Sequence, residues 1–399
     1  MRQKRFMSLK QLLGRQVPDC AIIGGGPVGL IFAILGSTSI GKVQIFESKK
    51  HGSTNQDNRA LALSNGSRLF LEEIGVWDRL EKKITKIKKI HTSQAGSFGR
   101  TMLDSAEFNE ESLGYIIPYG DLMGVLQEEV ECINNVEISY ETKITKCIDE
   151  KPSLNLTLQT NNKLKQLKSE FVVLADGANE EIEGLELNKK IKHFNHAAIV
   201  TKVLSEIPHR NIAYERFTSN GPIALLPNKE DKFSLVWTGP LKFIEDLKKL
   251  NDECFLLQLH ESFGDRVGSF EECEKRIAFD LKQSHVEVMH SNIVALGNAS
   301  QTMHPVAGQG LNTGFRDAYK LSQILKDDLN TKNLETLINN YKQSRASERK
   351  KILGFTELLV KSFSNDLVGF KKARGYALTL LDISRPIKQS FVKKMSYGE

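Results

Sequence analysis

Asp19-Cys20-Ala21-Ile22-Ile23 is a short apolar run of strand type that ends abruptly in three glycines, and this junction constrains the chain more than any other feature. Gly24-Gly25-Gly26-Pro27-Val28-Gly29 fits the spacing G-x-G-x-x-G, and an apolar helical stretch follows through Leu35. A second strand, Val43-Gln44-Ile45-Phe46, then delivers Glu47, 18 positions after Gly29. Each part has a physical task. Gly24 permits a tight turn, Gly26 lets a pyrophosphate approach the backbone, and Gly29 lets the helix pack closely on its strand. The helix N-terminus supplies N–H groups and a partial positive charge for phosphates. Glu47 is an acceptor placed to hold ribose hydroxyls. The glycines alone are a weak signal, but strand, turn, helix, strand and acid in register point to a dinucleotide. They do not distinguish FAD from NAD.

The stretch Cys20 to Ile40 carries no charge, as a membrane anchor would. Gly24-Gly25-Gly26-Pro27 would break a spanning helix near its start, however, so a soluble βαβ unit is expected. At 399 residues, with about 100–200 residues per domain, two or three domains are expected. Hydrophobic residues at 40% and charged residues at 26% exclude a disordered chain. Five cysteines, odd in number and never in C-x-x-C, exclude a disulfide scaffold and a zinc ribbon, and fit a reducing compartment. The net charge of +6 is uneven: +5 over residues 1–16, +6 over 350–399 and −5 between them. That distribution argues against a nucleic-acid binder and leaves room for an anionic membrane surface.

Further along, Asp57-Asn58-Arg59-Ala60-Leu61-Ala62-Leu63-Ser64 is expected to open a helix reaching Glu73. Arg59 in its first turn would oppose the helix dipole, which suggests an anionic partner such as a phosphate; a solvated arginine is the plainer alternative. Phe171 to Leu174 is a buried strand followed by Asp176-Gly177, and Asn292 to Ala295 is another, followed by Gly297-Asn298-Ala299. Then comes His304-Pro305-Val306-Ala307-Gly308-Gln309-Gly310-Leu311-Asn312, with a helix from about Leu311 to Leu329. The second glycine loop aims backbone donors at something flat or anionic, for which a reduced flavin is a good candidate.

Taken in order, these motifs resemble the class A flavoprotein aromatic hydroxylases, and within them the ubiquinone-biosynthesis hydroxylases. Arg59-Ala60-Leu61-Ala62-Leu63-Ser64, Gly114-Tyr115-Ile116-Ile117-Pro118, Glu215-Arg216-Phe217-Thr218, Gly221 to Pro227 and Val236-Trp237-Thr238 extend the resemblance over about residues 18 to 396. Two departures stand out. Most of the class has Asp where this chain has Asn298, and Gly-Asn-Ala-x-Gln-Thr is similar to the branch acting on 2-polyprenyl-6-methoxyphenol. Asn179-Glu180-Glu181-Ile182 replaces a small polar residue and an arginine common after Asp-Gly.

The resemblance implies an α/β fold of the glutathione-reductase and p-hydroxybenzoate-hydroxylase type. Its Rossmann-like FAD-binding domain is interleaved with an antiparallel β-sheet substrate domain and followed by C-terminal helices. Residues 18–83, 118–190 and 291–345 would form the discontinuous FAD-binding domain, 84–117 and 191–290 the substrate domain, 346–399 the helical segment and 1–17 a basic extension. It implies FAD held by Gly24, Gly26, Gly29, Glu47, Arg59, Asp176, Gly177, Asn298, Gly308, Gly310, Leu311 and Asn312. NAD(P)H would be a transient co-substrate, since no second G-x-G-x-x-G appears after residue 190. The reduced flavin would take up O2 and pass one oxygen atom to a polyprenylated phenol, the cofactor carrying the chemistry. His304, as acid or base, and Pro305, as a pocket-shaping residue, are the candidates at the flavin face; a histidine that merely packs the loop is the alternative. His193 and His196 lack carboxylate or cysteine partners in a metal pattern, so no metal site is expected.

Ile352, Phe355, Leu358, Leu359 and Phe363 recur at helical spacing, among basic residues that include Lys361, Lys371, Lys372, Arg374, Lys388, Lys393 and Lys394. One reading is a helix packed on the cofactor domain with a solvated basic face. The other is peripheral docking to the inner face of the cytoplasmic membrane by an otherwise cytoplasmic protein, alongside other ubiquinone-biosynthesis proteins. Two rivals accompany the main reading: a sibling hydroxylase acting at another ring carbon, and a non-catalytic flavoprotein scaffold.

Overall fold

A computed structural model describes residues 19–96, 99–177, 181–302, 309–328, 333–363, 375, 379–380 and 382–397, with residues 349–363 in backbone only. The apolar run before the glycines is strand β1 (Cys20–Ile23), the centre of a five-stranded sheet. The sheet order is β19-β12-β1-β2-β8, with β2 Val43–Phe46, β8 Val136–Ser139, β12 Phe171–Leu174 and β19 Ile293–Ala295. All its pairings are parallel. Such a sheet is covered on both faces, which is why these strands read as unbroken apolar runs.

Alternation divides the side chains between two cores. Cys20, Ile22, Val43, Ile45, Phe171 and Val173 face helices α1 (Pro27–Gly36), α4 (Tyr119–Glu131) and α7 (Gln309–Asp328). Ala21, Ile23, Phe46, Val172 and Leu174 face an antiparallel meander of β9 (Thr142–Glu150), β10 (Ser153–Thr160) and β11 (Lys163–Ser169). Leu30, Ile31 and Phe32 of α1 are wholly buried. Each such side chain contributes on the order of 1.5–3 kcal/mol.

A nine-stranded sheet roofs this α/β unit. It comprises β5 (Lys89–Gln94), β6 (Arg100–Asp104), β13 (Leu187–Ser205), β14 (Ile212–Thr218), β15 (Gly221–Pro227), β16 (Phe233–Pro240), β17 (Phe270–Cys273), β18 (Ile277–Val288) and β20 (Gln301–Thr302). Its outer face packs Ile223, Leu235 and Trp237 against α5 (Leu241–Lys249) and α6 (Asp252–Phe263). Its inner face meets the cofactor side of the molecule, where Ala213 and Leu226 pack with Ala60, Ala62 and Ile116. The strands expected over Ala197–Val203, Pro222–Leu226 and Phe233–Trp237 all belong to it.

The helix expected from Asp57 does not form. Residues 60–63 are instead strand β3 (Ala60–Leu63), paired with β7 (Gly114–Pro118), which in turn pairs with β4 (Thr85–Ile87). Ala and Leu are good helix formers, but intrinsic propensity is a small term, and cross-strand pairing to Tyr115–Pro118 outweighs it. The helix begins later, as α2 (Asn65–Glu73), because Ser64 caps it by accepting the Ser67 N–H at 3.2 Å. Helix α3 (Trp77–Glu81) follows.

Helix α8 (Leu334–Phe363) lies against α7, and a buried ion pair joins them: Arg345 to Asp317, 5% and 2% exposed. Asp317 also accepts the Gly297 N–H at 2.9 Å, which fixes the turn after β19. The last helix, α9 (Arg385–Tyr397), packs Val392 with Leu103 and Leu113. Its Lys388, expected on a free basic face, is buried and reaches Glu107 at 3.1 Å and Asp382 at 3.5 Å. Two carboxylates within the protein therefore engage that charge. No helix among the described residues is long and apolar enough to cross a membrane. Residues 1–17, Lys371, Lys372 and Arg374 lie outside the described residues.

Arg345→Leu should strand the buried Asp317 carboxylate and cost about 3–5 kcal/mol, read as a lowered midpoint of denaturant unfolding. A midpoint equal to that of the wild type would mean the pair contributes nothing.

Candidate functional site

The carboxyl ends of β1 and β12 meet at the first glycine. Ala175 N donates to Ile23 O at 2.7 Å, and Gly24 N donates to Phe46 O at 2.8 Å, so the turn is locked to both neighbouring strands. Gly24 has φ +105°, and a Cβ there would lie 2.6 Å from Asp176 N. Both the conformation and the space require glycine. A Cβ on Gly29 would lie 2.2 Å from Gly24 O, so the helix can rest on the turn only without a side chain. Gly26 differs: its Cβ would meet nothing within 4 Å. The fold does not need that glycine, and the open space beside it is where a pyrophosphate can approach.

Gly26 is the N-cap of α1, with Pro27 at the first helical positions and no side chain capping the turn. Proline has no N–H to leave unmet, and the N–H groups that follow it are available to an anion. Glu47 sits beside this turn. Its Oε2 accepts the Gly25 N–H at 2.8 Å and its Oε1 accepts the Lys49 N–H at 2.9 Å. The carboxylate is thus held at the end of β2, where a ribose can reach it. Asp176 and Gly177 follow β12 after Ala175 and are half-buried; Gly177 has φ +77°.

The second cluster forms around α7. Gly297 has φ +56°, and its position leaves room for Val28 of α1, whose Cγ2 would be 3.1 Å from a Cβ there and 2.6 Å from one on Gly314. The turn after β19 is thereby brought against α1. Asn298 is exposed, with Oδ1 3.9 Å from where a Cβ on Gly310 would lie, so it borders the first turn of α7. Gly310 and Leu311 in that turn are half-buried.

Asn312 plays a different part. Its Oδ1 accepts from Ser64 N at 2.9 Å and Ser67 Oγ at 2.6 Å, and its Nδ2 donates to Ala62 O at 3.0 Å. It ties α7 to β3 and α2, which sets the height of the helix N-terminus. His304, Pro305 and Gly308 lie outside the described residues.

Arg59 departs from expectation. It precedes β3, in no helix, and its anionic partner is Asp57, reached from Nε at 2.9 Å and from Nη2 at 2.6 Å. The guanidinium lies 5.0 Å from the Tyr119 ring centroid. Burial works to raise the Asp57 carboxyl, but Arg59 outweighs it and holds the group below the usual carboxylate range. The Asp317–Arg345 pair behind the Gly297 turn had a sequence signal. Asp317 interrupts the apolar stripe Ala318, Leu321 and Leu325, and Arg345 interrupts Leu337, Ile338 and Tyr341. Opposite charges on two such stripes mark a buried pair.

Residues 18–356 match the model of a family described as FAD binding domain. The chain belongs to this family. It is 27% identical over 387 residues to the ubiquinone hydroxylase UbiL of Rhodospirillum rubrum, covering 95% of this chain and 89% of that one. It is 24% identical over 435 residues to the ubiquinone biosynthesis monooxygenase COQ6, mitochondrial, of Homo sapiens, covering 94% and 92% respectively. In three dimensions it is similar to p-nitrophenol 4-monooxygenase PnpA of Pseudomonas putida DLL-E4. That match has a TM-score of 0.77 at 15% identity and covers 95% of this chain and 98% of that one. The α/β FAD-binding architecture expected from the sequence is the one observed.

Gly26→Val should keep the fold while removing FAD, because its side chain enters ligand space alone; retained stoichiometric flavin would contradict this. Gly29→Val should instead destabilise the protein by about 1–3 kcal/mol or more through overpacking, read as a lowered Tm. Glu47→Ala should weaken FAD by about 1–3 kcal/mol, measured by calorimetric titration.

Proposed function

We propose that the protein is an FAD-dependent, NAD(P)H-driven monooxygenase. It would hydroxylate the aromatic ring of a polyprenylated phenol in ubiquinone biosynthesis, with 2-polyprenyl-6-methoxyphenol as the substrate. The observation that carries this reading is the near full-length likeness to two ubiquinone-pathway hydroxylases, combined with a site built for a dinucleotide. Asn298 within Gly-Asn-Ala-Ser-Gln-Thr favours this ring position over its siblings.

FAD, when bound, would supply the redox chemistry that activates O2 for hydroxylation of the ring. The protein's own residues do the rest. Gly24, Gly26 and Gly29 with the N-terminus of α1 would hold the pyrophosphate, and Glu47 would hold the ribose. Asp176 and Gly177, just past the end of β12, would also contact the cofactor. Asn298 in the turn after β19, with Gly310 and Leu311 at the N-terminus of α7, would hold the flavin, and Asn312 sets the position of that helix. His304, Pro305 and Gly308 complete the flavin face. Residues 18–83, 118–190 and 291–345 serve the cofactor. Residues 84–117 and 191–290 serve the substrate, largely through the inner face of the roof sheet, which excludes water from the ring. The remaining basic groups of 346–399 would attach the protein reversibly to the membrane that holds the substrate.

Two measurements test this. Purified protein should carry FAD and oxidise NAD(P)H faster when a prenylated methoxyphenol is added; flavin without such stimulation would favour a scaffold. A deletion strain should accumulate 2-polyprenyl-6-methoxyphenol by lipid-extract mass spectrometry, and accumulation of a different quinone precursor would assign a sibling step.

A further inference from the structure

The inner face of the roof sheet carries one ionisable side chain in its middle. Alternation along β14 sends Tyr214 and Arg216 outward, where Tyr214 packs on Phe263 and Arg216 Nε donates to Ser262 O at 3.1 Å. The same alternation sends Ala213, Glu215 and Phe217 inward. Register places Glu215 opposite Thr92 on one side and Ala224 on the other, and the row continues through Val236 and Val200 to Ile277. The two faces of the sheet differ in packing. On the outer face Ile223, Leu225, Leu235, Trp237 and Ile199 have no exposed surface. On the inner face Thr92, Glu215, Ala224, Val236 and Val200 are only half-buried although they lie mid-sheet. That row is therefore not closed over by packing as the outer face is.

No hydrogen bond or ion pair reaches the Glu215 carboxyl among the described residues, and burial alone pushes it up to about 8. Gln94 lies diagonally beside it, facing the same way, and its Oε1 is buried without a hydrogen bond among the described residues. Beside Thr92, two polar groups without a hydrogen bond among the described residues lie side by side on this face, and they imply a polar ligand group between them. From Glu215 outward the row is apolar and ends at Ile277, 51% exposed on the sheet's far side. Four strand spacings, about 19 Å, separate the two. A polar head with a hydrocarbon tail fits that order.

We infer that Glu215 meets the hydroxyl of the phenolic substrate and accepts its proton, while the apolar row beside it carries the tail outward. This rests on the reading of the protein as a phenol hydroxylase. In the step the phenolic O–H bond breaks, a carboxyl O–H bond forms on Glu215, and the electron pair left on the phenolic oxygen enriches the ring for attack by an electrophilic oxygen. No redox partner is needed.

A phenol has an ordinary value near that of Tyr, about 10, whereas an exposed Glu lies near about 4.3. Raising the carboxyl to about 8 narrows the gap and makes the transfer much less uphill. No charged group disturbs this face among its immediate neighbours: Ile90, Thr92 and Gln94 on β5, Pro222, Ala224 and Leu226 on β15, and Ala60, Ala62 and Ile116 beneath. His91, Lys89 and Arg216 point to the opposite face. Asp382 and Lys388, brought by the C-terminal segment, lie at the sheet edge over Thr101 and pair with each other at 3.5 Å.

The test uses FAD-loaded protein and 2-methoxyphenol bearing a geranyl chain, over about pH 6 to 10, which spans the two groups. Binding is followed by the flavin absorbance and phenol ionisation by the near-ultraviolet phenolate band. In the wild type, kcat should rise with pH through about 8 as Glu215 ionises. Glu215→Gln should retain FAD and fold, lose that limb, return the bound phenol's ionisation to about 10, and lower kcat by about a hundredfold. Glu215→Asp should restore part of the limb. A Glu215→Gln protein with the wild-type pH profile and phenolate band would overturn the inference while leaving the hydroxylase reading intact. A wild type that binds no such phenol would overturn both.

Discussion

The structure depends on one backbone contact: Gly24 lying against Ala175 and Asp176 where two parallel strands end together. A Cβ on Gly24 would sit 2.6 Å from Asp176 N, so the strands can end side by side only because that residue has no side chain. Everything nearby follows from that closeness. Helix α1 starts directly over the turn because Gly29 also lacks a side chain, and its N-terminus then points along the sheet's carboxyl edge. Open α/β sheets bind ligands at that edge. The turn is conformationally costly for any residue but glycine.

The second cofactor segment, about 270 residues later, reaches the same place by packing. Val28 of α1 fills the space left by Gly297 and Gly314, and Asp317 anchors the Gly297 N–H from within α7. Burial pushes the Asp317 carboxyl up and Arg345 pulls it down, so the charge that fixes the turn depends on a partner on another helix. Asn312 adds a third tie, from α7 to β3 and α2. The roof sheet then closes over this edge with two unlike faces, one packed tight against helices and one left partly open.

Much of this was legible in the sequence. Strands β1, β2, β12 and β19 were found because sheets buried on both faces need unbroken apolar runs, and glycines mark their ends. The helix drawn from Asp57 was wrong because Ala60–Leu63 has no periodicity that separates helix from strand; its partner, Tyr115–Pro118, lies more than fifty residues away. Ser64 was the local signal that the helix starts there. Arg59 was read against a helix dipole that is absent, and within the protein it pairs with Asp57, two residues back. Lys388 was counted as surface charge because its partners Glu107 and Asp382 come from elsewhere in the chain and from the stretch just before it. Glu215 could not be singled out from composition: its isolation comes from the register of β5, β14 and β15, which only the folded sheet supplies.

The central claim is that two stretches remote in sequence hold the same FAD molecule. Hydrogen–deuterium exchange of the protein with and without bound FAD measures this directly. Peptides spanning Gly24–Gly29 and Gln309–Asn312 should both become protected, with the same dependence on FAD concentration. Protection confined to one of the two, or saturating at different concentrations, would contradict the account.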